Sequence, residues 1–366
     1  MVRALKKMGK KILILGNSDI VIYNFRLELL EALLAADYQV TVVSPYGERI
    51  DFLTKIGCKF IELNLSRHGK NPFQDLKLLK SYKRILKAEK PDVVLTYTIK
   101  PNIYGGMACQ SLKIPYIANV TGLGDAIENG GLLQKLTLFL YKKGLKKSKI
   151  VFFQNVSNQK FFLDKKIVRG KNDVLPGSGV NIERFGYVEY PAETSTNLLF
   201  IGRITRDKGV NELAAAIKII TDKRQEVVFD IVGWADEGHE NPFKELAYCR
   251  CHGSQVDVKP YLEKAHAIVL PSYHEGMANV LLEAGACGRP ILASNIPGCQ
   301  ETFDEGVTGF GFEPKNVDSL CEAIERFIAL PYEQKREMGK ASRKKIEKMF
   351  NRQIVVEKYL EQINSL

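Results

Sequence analysis

Strand-like and helix-like patterns alternate along the chain, and this alternation restricts the fold more than any other feature. Short runs rich in Val, Ile and Leu, such as 11–15 and 39–44, are each followed by a segment with apolar residues at helical spacing. Apolar strands of this type, joined by helices, are typical of parallel sheets that carry helices on both faces. The pattern therefore predicts an α/β protein.

The alternation runs twice, once on each side of a polar stretch at 186–196 that we interpret as a linker. Before it we predict strands at 11–15, 39–44, 59–63, 92–96, 115–119 and 149–154, with helices at 24–36, 48–56, 73–89, 102–112, 131–147 and 157–163. After it we predict strands at 197–202, 227–233, 255–258, 267–271 and 290–294, with helices at 209–222, 242–250, 260–264, 277–287 and 318–329.

Two doubly wound, Rossmann-like domains follow from this repetition. The length of 366 residues agrees, because a domain takes roughly 100–200 residues. We predict a first domain at 1–180 and a second at 190–349. A final helix at 334–364 breaks near 349–351, and we expect 350–366 to cross back onto the first domain. Because ligands bind beyond the carboxyl ends of such strands, we expect the two domains to face a central cleft that holds the site.

Composition excludes several classes of protein. Hydrophobic residues make up 45% and charged residues 26%, which is typical of a soluble globular protein. No apolar run approaches the roughly 18–20 residues of a membrane span, and the basic start lacks a signal-peptide pattern. The seven cysteines are scattered with no Cys-x-x-Cys, and no second half of a metal site accompanies Cys249-Arg250-Cys251-His252. We therefore expect a cytoplasmic protein with reduced thiols and no metal site.

The net positive charge of the chain comes entirely from its first half. Residues 1–175 contain 30 Lys and Arg against 14 Asp and Glu, a net +16, whereas residues 176–366 contain 23 against 28, a net −5. This asymmetry indicates that the first domain faces a polyanion or an anionic membrane. Nucleic acid is not expected, because neither zinc-finger spacing nor an aromatic-basic RNA motif is found.

Two segments concentrate this charge, 76–87 and 132–149, and both mix bulky apolar residues with lysines. Each is compatible with a helix that lies in a membrane interface, where Leu138, Phe139 and Tyr141 could insert. For either segment alone, the favoured alternative is a helix that packs on the core and exposes a solvated lysine face, and it is the charge asymmetry of the whole domain that supports membrane contact.

A first motif, Gly202-Arg203-Ile204-Thr205-Arg206-Asp207-Lys208-Gly209, follows a predicted strand and opens a helix. Its cations lie at a helix N-terminus, where the dipole is already positive, so the arrangement is unfavourable unless an anion lies between them. Arg203 and Lys208 suit a diphosphate. The alternative is that these are surface cations paired with Asp207 or Glu212.

A second motif places Glu275 in the loop before a helix and Glu283 within that helix. Gly276 allows a ligand to approach the backbone, and the N–H groups of the first helical turn can hold a phosphate. A carboxylate in the helix could accept both hydroxyls of a ribose. The alternative is an N-terminal Glu favoured by the dipole and an exposed helical Glu.

Taken together, these motifs resemble those of the retaining GT-B glycosyltransferases of family 4. The matching residues are Gly202-Arg203, Lys208-Gly209, Glu275-x7-Glu283, Ala284-x-Ala286-x-Gly288-x-Pro290 and Gly306-Val307-Thr308-Gly309. The resemblance covers the whole chain in outline and is strongest over 197–312. It implies the GT-B fold, a nucleotide-sugar donor, no cofactor and, since Asp-x-Asp is absent, a mechanism without metal.

The resemblance also implies roles for individual residues of the second domain. Arg203, Lys208 and Glu275 would be catalytic, with the two cations on the donor diphosphate and Glu275 on the donor sugar, while Glu283 would take the ribose. The other expected donor contacts are Gly16 in the first domain and, in the second domain, Gly202, His274, Gly276, Met277, Ala278, Asn279 and Val280. For His274 an ordinary loop role is the alternative.

The first domain resembles the subgroup that builds bacterial capsule, O-antigen and protein-linked oligosaccharides on undecaprenyl diphosphate. The matching pieces are Tyr23-Asn24-Phe25-Arg26, Asn71-Pro72-Phe73, Lys100-Pro101-Asn102-x-Tyr104-Gly105, Thr121-Gly122-Leu123-Gly124 and Gly177-Ser178-Gly179-Val180-Asn181. Related domains often carry a histidine before the Lys-x-x-x-x-Gly piece, and this sequence has none there.

Candidate acceptor contacts in the first domain are Asn24, Arg26, His68 and Lys100. We place Asn24 and Arg26 in the first strand-helix loop, with a helix cap and a surface cation as the alternatives. Lys100 with Tyr97, or else the loop residue His68, would replace the missing histidine; the alternative for His68 is an ordinary polar loop residue.

The expected activity is transfer of a sugar, with retention, from a UDP-sugar such as UDP-GlcNAc, UDP-GalNAc or UDP-Gal. The expected acceptor is an undecaprenyl diphosphate-linked saccharide in bacterial surface polysaccharide synthesis, with the enzyme peripheral on the inner face of the cell membrane. The alternatives are a non-hydrolysing UDP-sugar 2-epimerase of the same architecture and a non-catalytic polyanion-binding protein.

Overall fold

The computed structural model describes residues 9–64, 72–124, 127, 130–192, 195–235 and 240–366. The chain divides into two compact units, the first made of residues 1–178 together with 353–366 and the second of residues 179–352. The polar stretch 186–196, which we interpreted as a linker, therefore lies inside the second unit.

The first unit is built on a parallel sheet. Its described residues form seven strands in the order β3-β2-β1-β4-β5-β6-β7, all parallel to their neighbours. The strands are β1 Lys11–Leu15, β2 Gln39–Ser44, β3 Lys59–Glu62, β4 Val93–Tyr97, β5 Tyr116–Val120, β6 Ile150–Phe153 and β7 Asn172–Val174. The change of direction between β1 and β4 is the doubly wound arrangement that the alternation predicted.

Helices cover both faces of this sheet. They are α1 Asp19–Ala35, α2 Arg49–Lys55, α3 Pro72–Glu89, α4 Gly106–Leu112, α5 Gly131–Leu145 and α6 Val156–Asp164, with a π-helical turn at Pro101–Gly105 before α4. Ile12 and Ile14 belong to the core on one face, whereas Leu13 and Leu15 belong to the core on the other. Because strand side chains alternate between faces, both faces are apolar and buried.

The second unit repeats the plan. Its described residues form six parallel strands in the order β10-β9-β8-β11-β12-β13. The strands are β8 Thr196–Ile201, β9 Val227–Val232, β10 Cys249–Gly253, β11 Ala267–Leu270, β12 Ile291–Ser294 and β13 Gly309–Phe312. The helices are α7 Val210–Lys223, α8 Lys259–Lys264, α9 Asn279–Ala286, α10 Val317–Ile328 and α11 Tyr332–Phe350, with 3-10 turns at Arg206–Lys208 and Gln300–Thr302.

The last helix, α12 Arg352–Asn364, follows α11 after the single residue Asn351, where we predicted a break. Residues 353–366 belong to the first unit, and Val355, Val356, Tyr359 and Ile363 are buried in its core. No helix among the described residues is both long and apolar enough to cross a membrane.

Two predicted elements are wrong. The segment predicted as a helix at 242–250 contains turns and then the start of β10, and the strand predicted at 255–258 is not a strand. The true edge strand is the polar run Cys249–Gly253, which the buried carboxylate of Asp230 in β9 holds through Arg250 and His252. The order of apolar and polar residues near 249–253 does not show that a buried carboxylate in the neighbouring strand pairs with this segment.

Candidate active site

Two loops of the second unit meet at the carboxyl edge of its sheet. One follows β8 and the other follows β11, and these strands are neighbours. The backbone N–H of Tyr273 donates to the carbonyl of Asp207 at 2.8 Å. Gly209 has φ +66, and a Cβ there would lie 2.1 Å from the carbonyl oxygen of Pro271, so only glycine permits this approach. The two sequence motifs are therefore brought side by side.

Lys208 and Glu275 form an ion pair at the centre of this arrangement. Lys208 Nζ lies 2.5 Å from Glu275 Oε1, and both side chains are largely shielded from solvent. The buried hydroxyl of Ser272 donates to the same oxygen at 2.8 Å. A charge-assisted contact and a second donor fix the carboxylate, so both groups are held in place before any ligand binds.

Arg203, the second cation that we expected on the diphosphate, is exposed. Its Nη2 lies 3.5 Å from Asp207 Oδ2. Glu212, the other partner considered for these cations, instead accepts a hydrogen bond from the hydroxyl of Tyr273 at 2.6 Å.

Glu283 lies in the second turn of α9 and keeps part of its side chain accessible. Burial raises the pKa of Glu283 to about 7, and the positive charges of Arg352 and Arg184 lower it only in part. The carboxyl group is thus poised to change its charge near neutral pH. Arg352, which sequence reasoning missed, is buried and donates through Nη2 to the carbonyl of Gly179 at 3.0 Å.

The N-terminal end of α9 differs in detail from the prediction. The N–H of Ala278, expected to help cradle phosphate, donates instead to the carbonyl of Gly298 at 2.8 Å. Gly298 has φ +88, and a Cβ there would lie 2.7 Å from the carbonyl oxygen of Glu275. The absence of a side chain at this position therefore allows the two loops to pack against each other. Sequence reasoning missed both Gly298, whose role depends on a contact between two loops, and Ser272, whose hydroxyl bonds Glu275 within one loop.

The other predicted donor contacts take varied positions. Met277 and Ala278 are buried, Asn279 and Val280 begin α9 at intermediate exposure, and His274 is exposed in the preceding loop. Asn279 Nδ2 donates to the carbonyl of Met277 at 3.3 Å. The backbone N–H of Gly202 donates to the carbonyl of Val232 at 3.0 Å, which holds the first motif against the end of β9.

In the first unit, Gly16 follows β1 directly, and its N–H donates to the carbonyl of Val43 at 3.1 Å. The placement of Asn24 and Arg26 in the first loop is wrong, because α1 begins at Asp19 and includes both. The alternatives of a cap and a surface cation also fail, since Ser18 precedes the helix and Arg26 is buried. The guanidinium of Arg26 lies 4.4 Å from the centre of the Tyr97 ring.

Two further residues were considered in place of the missing histidine. Tyr97 is buried beneath Arg26, and burial raises its pKa well above the usual value. Lys100 Nζ lies 3.0 Å from Asp75 Oδ1, and the hydroxyl of Tyr104 donates to the other oxygen of that carboxylate at 2.8 Å. His68, the third candidate, lies outside the described residues.

The described part of the chain contains no group of three or more His, Cys, Asp or Glu side chains that could hold a metal ion. The four-residue cluster at 249–252 includes Cys249 at intermediate exposure and Cys251 on the surface, both as free thiols.

Comparison with known proteins gives the class of protein that carries this fold and site. The profile "Glycosyl transferases group 1" matches residues 188–345, and the profile "Glycosyl transferase 4-like" matches residues 11–155. The chain is 31% identical over 333 residues to the N,N'-diacetylbacillosaminyl-diphospho-undecaprenol alpha-1,3-N-acetylgalactosaminyltransferase of Campylobacter jejuni, covering 85% of this chain and 87% of that protein. The chain is a glycosyltransferase and belongs to family 4 of these enzymes.

A second relative is also a glycosyltransferase, and a solved structure has the same fold. The UDP-Gal:alpha-D-GlcNAc-diphosphoundecaprenol alpha-1,3-galactosyltransferase of Escherichia coli is 26% identical and covers 69% of this chain and 70% of its own length. The structure of HepE from Anabaena in complex with UDP-glucose superposes with a TM-score of 0.79 at 18% identity, covering 98% of this chain and all of that one. The fold is therefore GT-B, as the resemblance implied.

Proposed function

We propose that the protein transfers a sugar, with retention of configuration and without a metal, from a UDP-sugar to a saccharide linked to undecaprenyl diphosphate. The observation that carries the proposal is the Lys208–Glu275–Ser272 cluster beside Arg203, at the carboxyl edge of a doubly wound sheet. The names of the Campylobacter and Escherichia coli relatives support UDP-sugars and acceptors of this class. Family membership favours transfer over the 2-epimerase and polyanion-binding alternatives.

The residues divide the chemistry between them. Lys208 uses one of its three donors on Glu275 and keeps two for the donor diphosphate, where Arg203 adds a second positive charge. Lys208 and Ser272 both contact Oε1 of Glu275, so Oε2 accepts from a hydroxyl of the transferred sugar. Glu283 accepts from the ribose. Two cations then stabilise the negative charge that develops as UDP leaves.

The bond changes balance without an added reagent. The bond between the anomeric carbon and the diphosphate breaks, and the acceptor hydroxyl oxygen forms the new bond on the same face of the sugar. A phosphate oxygen of the leaving UDP takes the proton of that hydroxyl, so the protein's task is to orient the reactants and to stabilise charge.

The test is transfer from UDP-GlcNAc, UDP-GalNAc and UDP-Gal to undecaprenyl diphosphate-linked N-acetylhexosamine, with the anomer of the product assigned by NMR and with EDTA present. We expect an α-linked product from an α-linked donor and undiminished rates in EDTA. Lys208→Ala should lower kcat roughly 10-fold to 1,000-fold, the range for one charge-stabilising donor.

The matched control is Lys223→Ala, which removes an exposed lysine at the end of α7 in the same unit. Equal rates for both variants, an inverted product, or activity that EDTA abolishes and Mg²⁺ restores would contradict the proposal.

A lipid-linked acceptor requires the enzyme to reach a membrane, and helix α5 has a suitable surface. Leu132, Leu136 and Phe139 are 84%, 53% and 55% exposed, and they follow one another at helical spacing along one face. Lysines continue that face toward the C-terminus of the helix. Of the residues predicted to insert, Phe139 is exposed, whereas Tyr141 is buried in the core and Leu138 is half-buried.

Helix α3 presents a similar surface on the same side of the sheet. Phe73 and Leu76 are 84% and 52% exposed near its N-terminal end, and Lys77, Lys80, Arg84 and Lys87 are exposed further along. Side chains of α3 pack with Leu13 and Val94, and those of α5 pack with Ala118 and Val151. The strand registers place these four residues on one face of the sheet.

We therefore propose that α3 and α5 bind the anionic inner face of the cell membrane. Both helices lead from one parallel strand to the next, so both begin at the carboxyl edge of the sheet and their apolar ends lie at the same edge. Shallow insertion of these apolar side chains adds to the attraction of the lysines, at about 1 kcal/mol for each cation near the lipid.

The test is sedimentation with vesicles containing phosphatidylglycerol, compared with neutral vesicles, at low and high salt. We expect binding to the anionic vesicles alone, weakened by salt and by replacing Lys142, Lys143, Lys146 and Lys147 with Glu. The control is Lys344→Glu with Lys348→Glu, which reverses two exposed charges on α11 of the second unit. Equal binding to neutral vesicles, or an equal effect of the control, would refute this surface.

A further inference from the structure

Two cysteines separated by a single residue lie on the edge strand β10, and both are free thiols. Strand side chains alternate between the two faces of a sheet, so Cys249 and Cys251 share one face. Arg250, between them, belongs to the other face, where it pairs with Asp230. The transfer chemistry proposed above uses neither cysteine, and neither belongs to the motifs of the donor site.

The two thiols are in contact, although they differ in exposure. Cys249 packs against the core of the second unit, whereas Cys251 lies on the surface. The thiol of Cys249 donates a hydrogen bond to the sulfur of Cys251, and Nδ2 of Asn241 donates to the same sulfur at 4.0 Å. Burial raises the pKa of Cys249 to about 12, and the charge of Cys251 and the hydrogen bond to it act in the same direction. A shielded thiol that keeps its proton therefore lies against one that solvent reaches.

The backbone of β10 allows these two sulfurs to be joined. Residues two apart in a strand have Cα atoms about 6.6 Å apart, and disulfides span roughly 4.4–6.8 Å between Cα atoms. The register with β9 shifts between Cys251 and Gly253, and a bulge of this kind bends the strand. In the described part of the sheet β10 has a neighbour on one side alone, so it can bend without breaking a second ladder. A small bend therefore brings the pair within bonding distance.

Exposure decides which of the two sulfurs an oxidant meets first. Susceptibility to oxidation follows accessibility and thiolate character, and Cys249 is both shielded and protonated at neutral pH. Cys251 is therefore the thiol that is oxidised. A sulfenic acid formed there lies against the thiol of Cys249, and condensation with a neighbouring thiol is the reaction that converts a sulfenic acid to a disulfide.

We propose that Cys249 and Cys251 form a redox pair, which a hydroperoxide oxidises to a disulfide within β10. The sulfur of Cys251 attacks the terminal oxygen of the hydroperoxide and the O–O bond breaks. The thiol proton leaves with the alcohol or water, and Cys251 becomes a sulfenic acid. The sulfur of Cys249 then attacks that of Cys251, its proton joins the departing hydroxyl group, and water leaves as the S–S bond forms. The two thiols lose two electrons in total, and the hydroperoxide gains them.

The geometry also predicts that this bond is easily reduced. The Cα separation lies near the upper limit for a disulfide, so closing the bond stores strain in β10, and strained, exposed disulfides are the labile ones. The ring encloses three residues, so the cross-link removes little entropy from the unfolded chain. A dithiol should therefore restore both free thiols, which makes the pair a reversible switch.

Alkylation read by peptide mass spectrometry tests the proposal on the full chain. Cleavage after lysine places Cys249 and Cys251 in one peptide and every other cysteine elsewhere. We expect an equimolar amount of hydrogen peroxide to give a form of this peptide that lacks two hydrogen atoms and takes no alkylating label. Dithiothreitol should restore both labels, whereas Cys321, half-buried in α10, should accept its label throughout.

Single serine variants separate the two roles. Cys249→Ser should leave Cys251 as a sulfenic acid that dimedone traps, and Cys251→Ser should leave Cys249 reduced. The matched control is Cys321→Ser, in which the disulfide should form as in the unmodified protein. Oxidation of Cys251 to a sulfinic acid, or a disulfide between two chains, without a bond to Cys249 would overturn the proposal. Equal trapping by dimedone in Cys249→Ser and in the unmodified protein would also overturn it.

Discussion

At the scale of single residues, Glu283 combines a proposed role in donor binding with an unusually high carboxyl pKa. Its carboxyl group lies in α9 of the second unit, and burial raises its pKa to about 7 despite the positive charges of Arg352 and Arg184. A carboxylate can accept hydrogen bonds from both hydroxyls of a ribose. A neutral carboxyl group carries a proton on one oxygen and can accept fewer hydrogen bonds. Under the proposed function, the charged form is therefore the one expected to bind the ribose of the donor.

This acidity predicts pH-dependent donor binding. The group is protonated below a pKa of about 7, so the Kd for a UDP-sugar should rise by up to tenfold for each pH unit below that value and level off above it. Calorimetry with an intact UDP-sugar measures this, because its diphosphate has no ionisation near neutral pH, unlike that of UDP. Glu283→Gln should give a flat profile. A wild-type profile equally flat between pH 5 and pH 8 would exclude the role of Glu283.

The site shows which residue-level features a sequence contains. Residue type and spacing were enough to select Lys208, Glu275 and Glu283 as candidates. They did not reveal that Ser272 holds Glu275 or that the N–H of Ala278 is taken by Gly298. The contact of Ala278 with Gly298 joins two loops that are 20 residues apart, and that of Ser272 with Glu275 lies within one loop. A single hydrogen bond of either kind leaves no periodic pattern along the chain.

At the scale of elements, β10 shows how a buried charge can define a strand. Asp230 in β9 accepts from Arg250 Nε at 2.8 Å and Arg250 Nη2 at 2.9 Å, and Asn197 Nδ2 donates to it at 2.6 Å. Its oxygen Oδ1 also lies 2.6 Å from His252 Nε2. Burial alone would raise the pKa of Asp230, but the hydrogen bonds from His252, Asn197 and Arg250 outweigh it and leave the pKa below its usual value.

Removing this charge should release the edge strand. Asp230→Asn should lower the free energy of unfolding by about 2–3 kcal/mol at neutral pH, the scale of a lost hydrogen bond to a charged group. Because the native pKa is depressed, the stabilisation is present above the unfolded pKa of about 3.9 and is lost as the pH falls through the native pKa. Chemical denaturation at pH 7 and at about pH 3 should therefore show a difference between variant and wild type that shrinks in acid. A constant difference would assign the effect to packing instead.

At the scale of the whole molecule, the C-terminal segment completes the first unit. Tyr359 of α12 is fully buried, its hydroxyl accepts from Asn119 Nδ2 at 2.9 Å, and its ring lies 5.0 Å from that of Phe152. Asn119 and Phe152 belong to β5 and β6. The chain thus closes the core of its first half with residues from its last turns.

Truncating that side chain should destabilise one unit selectively. Tyr359→Ala should lower the unfolding free energy of the first unit by about 3–5 kcal/mol, the usual cost of a large cavity. Hydrogen exchange read by mass spectrometry should show faster exchange in β4, β5 and β6, with β8 to β13 unchanged. Met349→Ala, which truncates an exposed side chain of α11, is the control. Equal acceleration in both units would show that they unfold together.

The two parallel sheets could be predicted from the sequence. Their edge strands and the boundary between the two units could not. Repeated apolar strands and intervening helices indicate two parallel sheets, because that pattern is imposed by burial on both faces. The short edge strands β7 Asn172–Val174 and β13 Gly309–Phe312 were missed, since few residues and two glycines carry little periodicity. The linker prediction failed because polar composition at 186–196 indicates exposure and does not indicate a boundary.

The return of α12 to the first unit has a consequence for synthesis on the ribosome. The first unit's own strands are complete by Val174, yet the residues that finish its core begin at Gln353. At about 5–20 residues per second, the nascent first unit waits roughly 10–35 s for its final helix while the second unit is made. During that interval the surface that α12 will cover is open, and it is there that a chaperone would bind the growing chain.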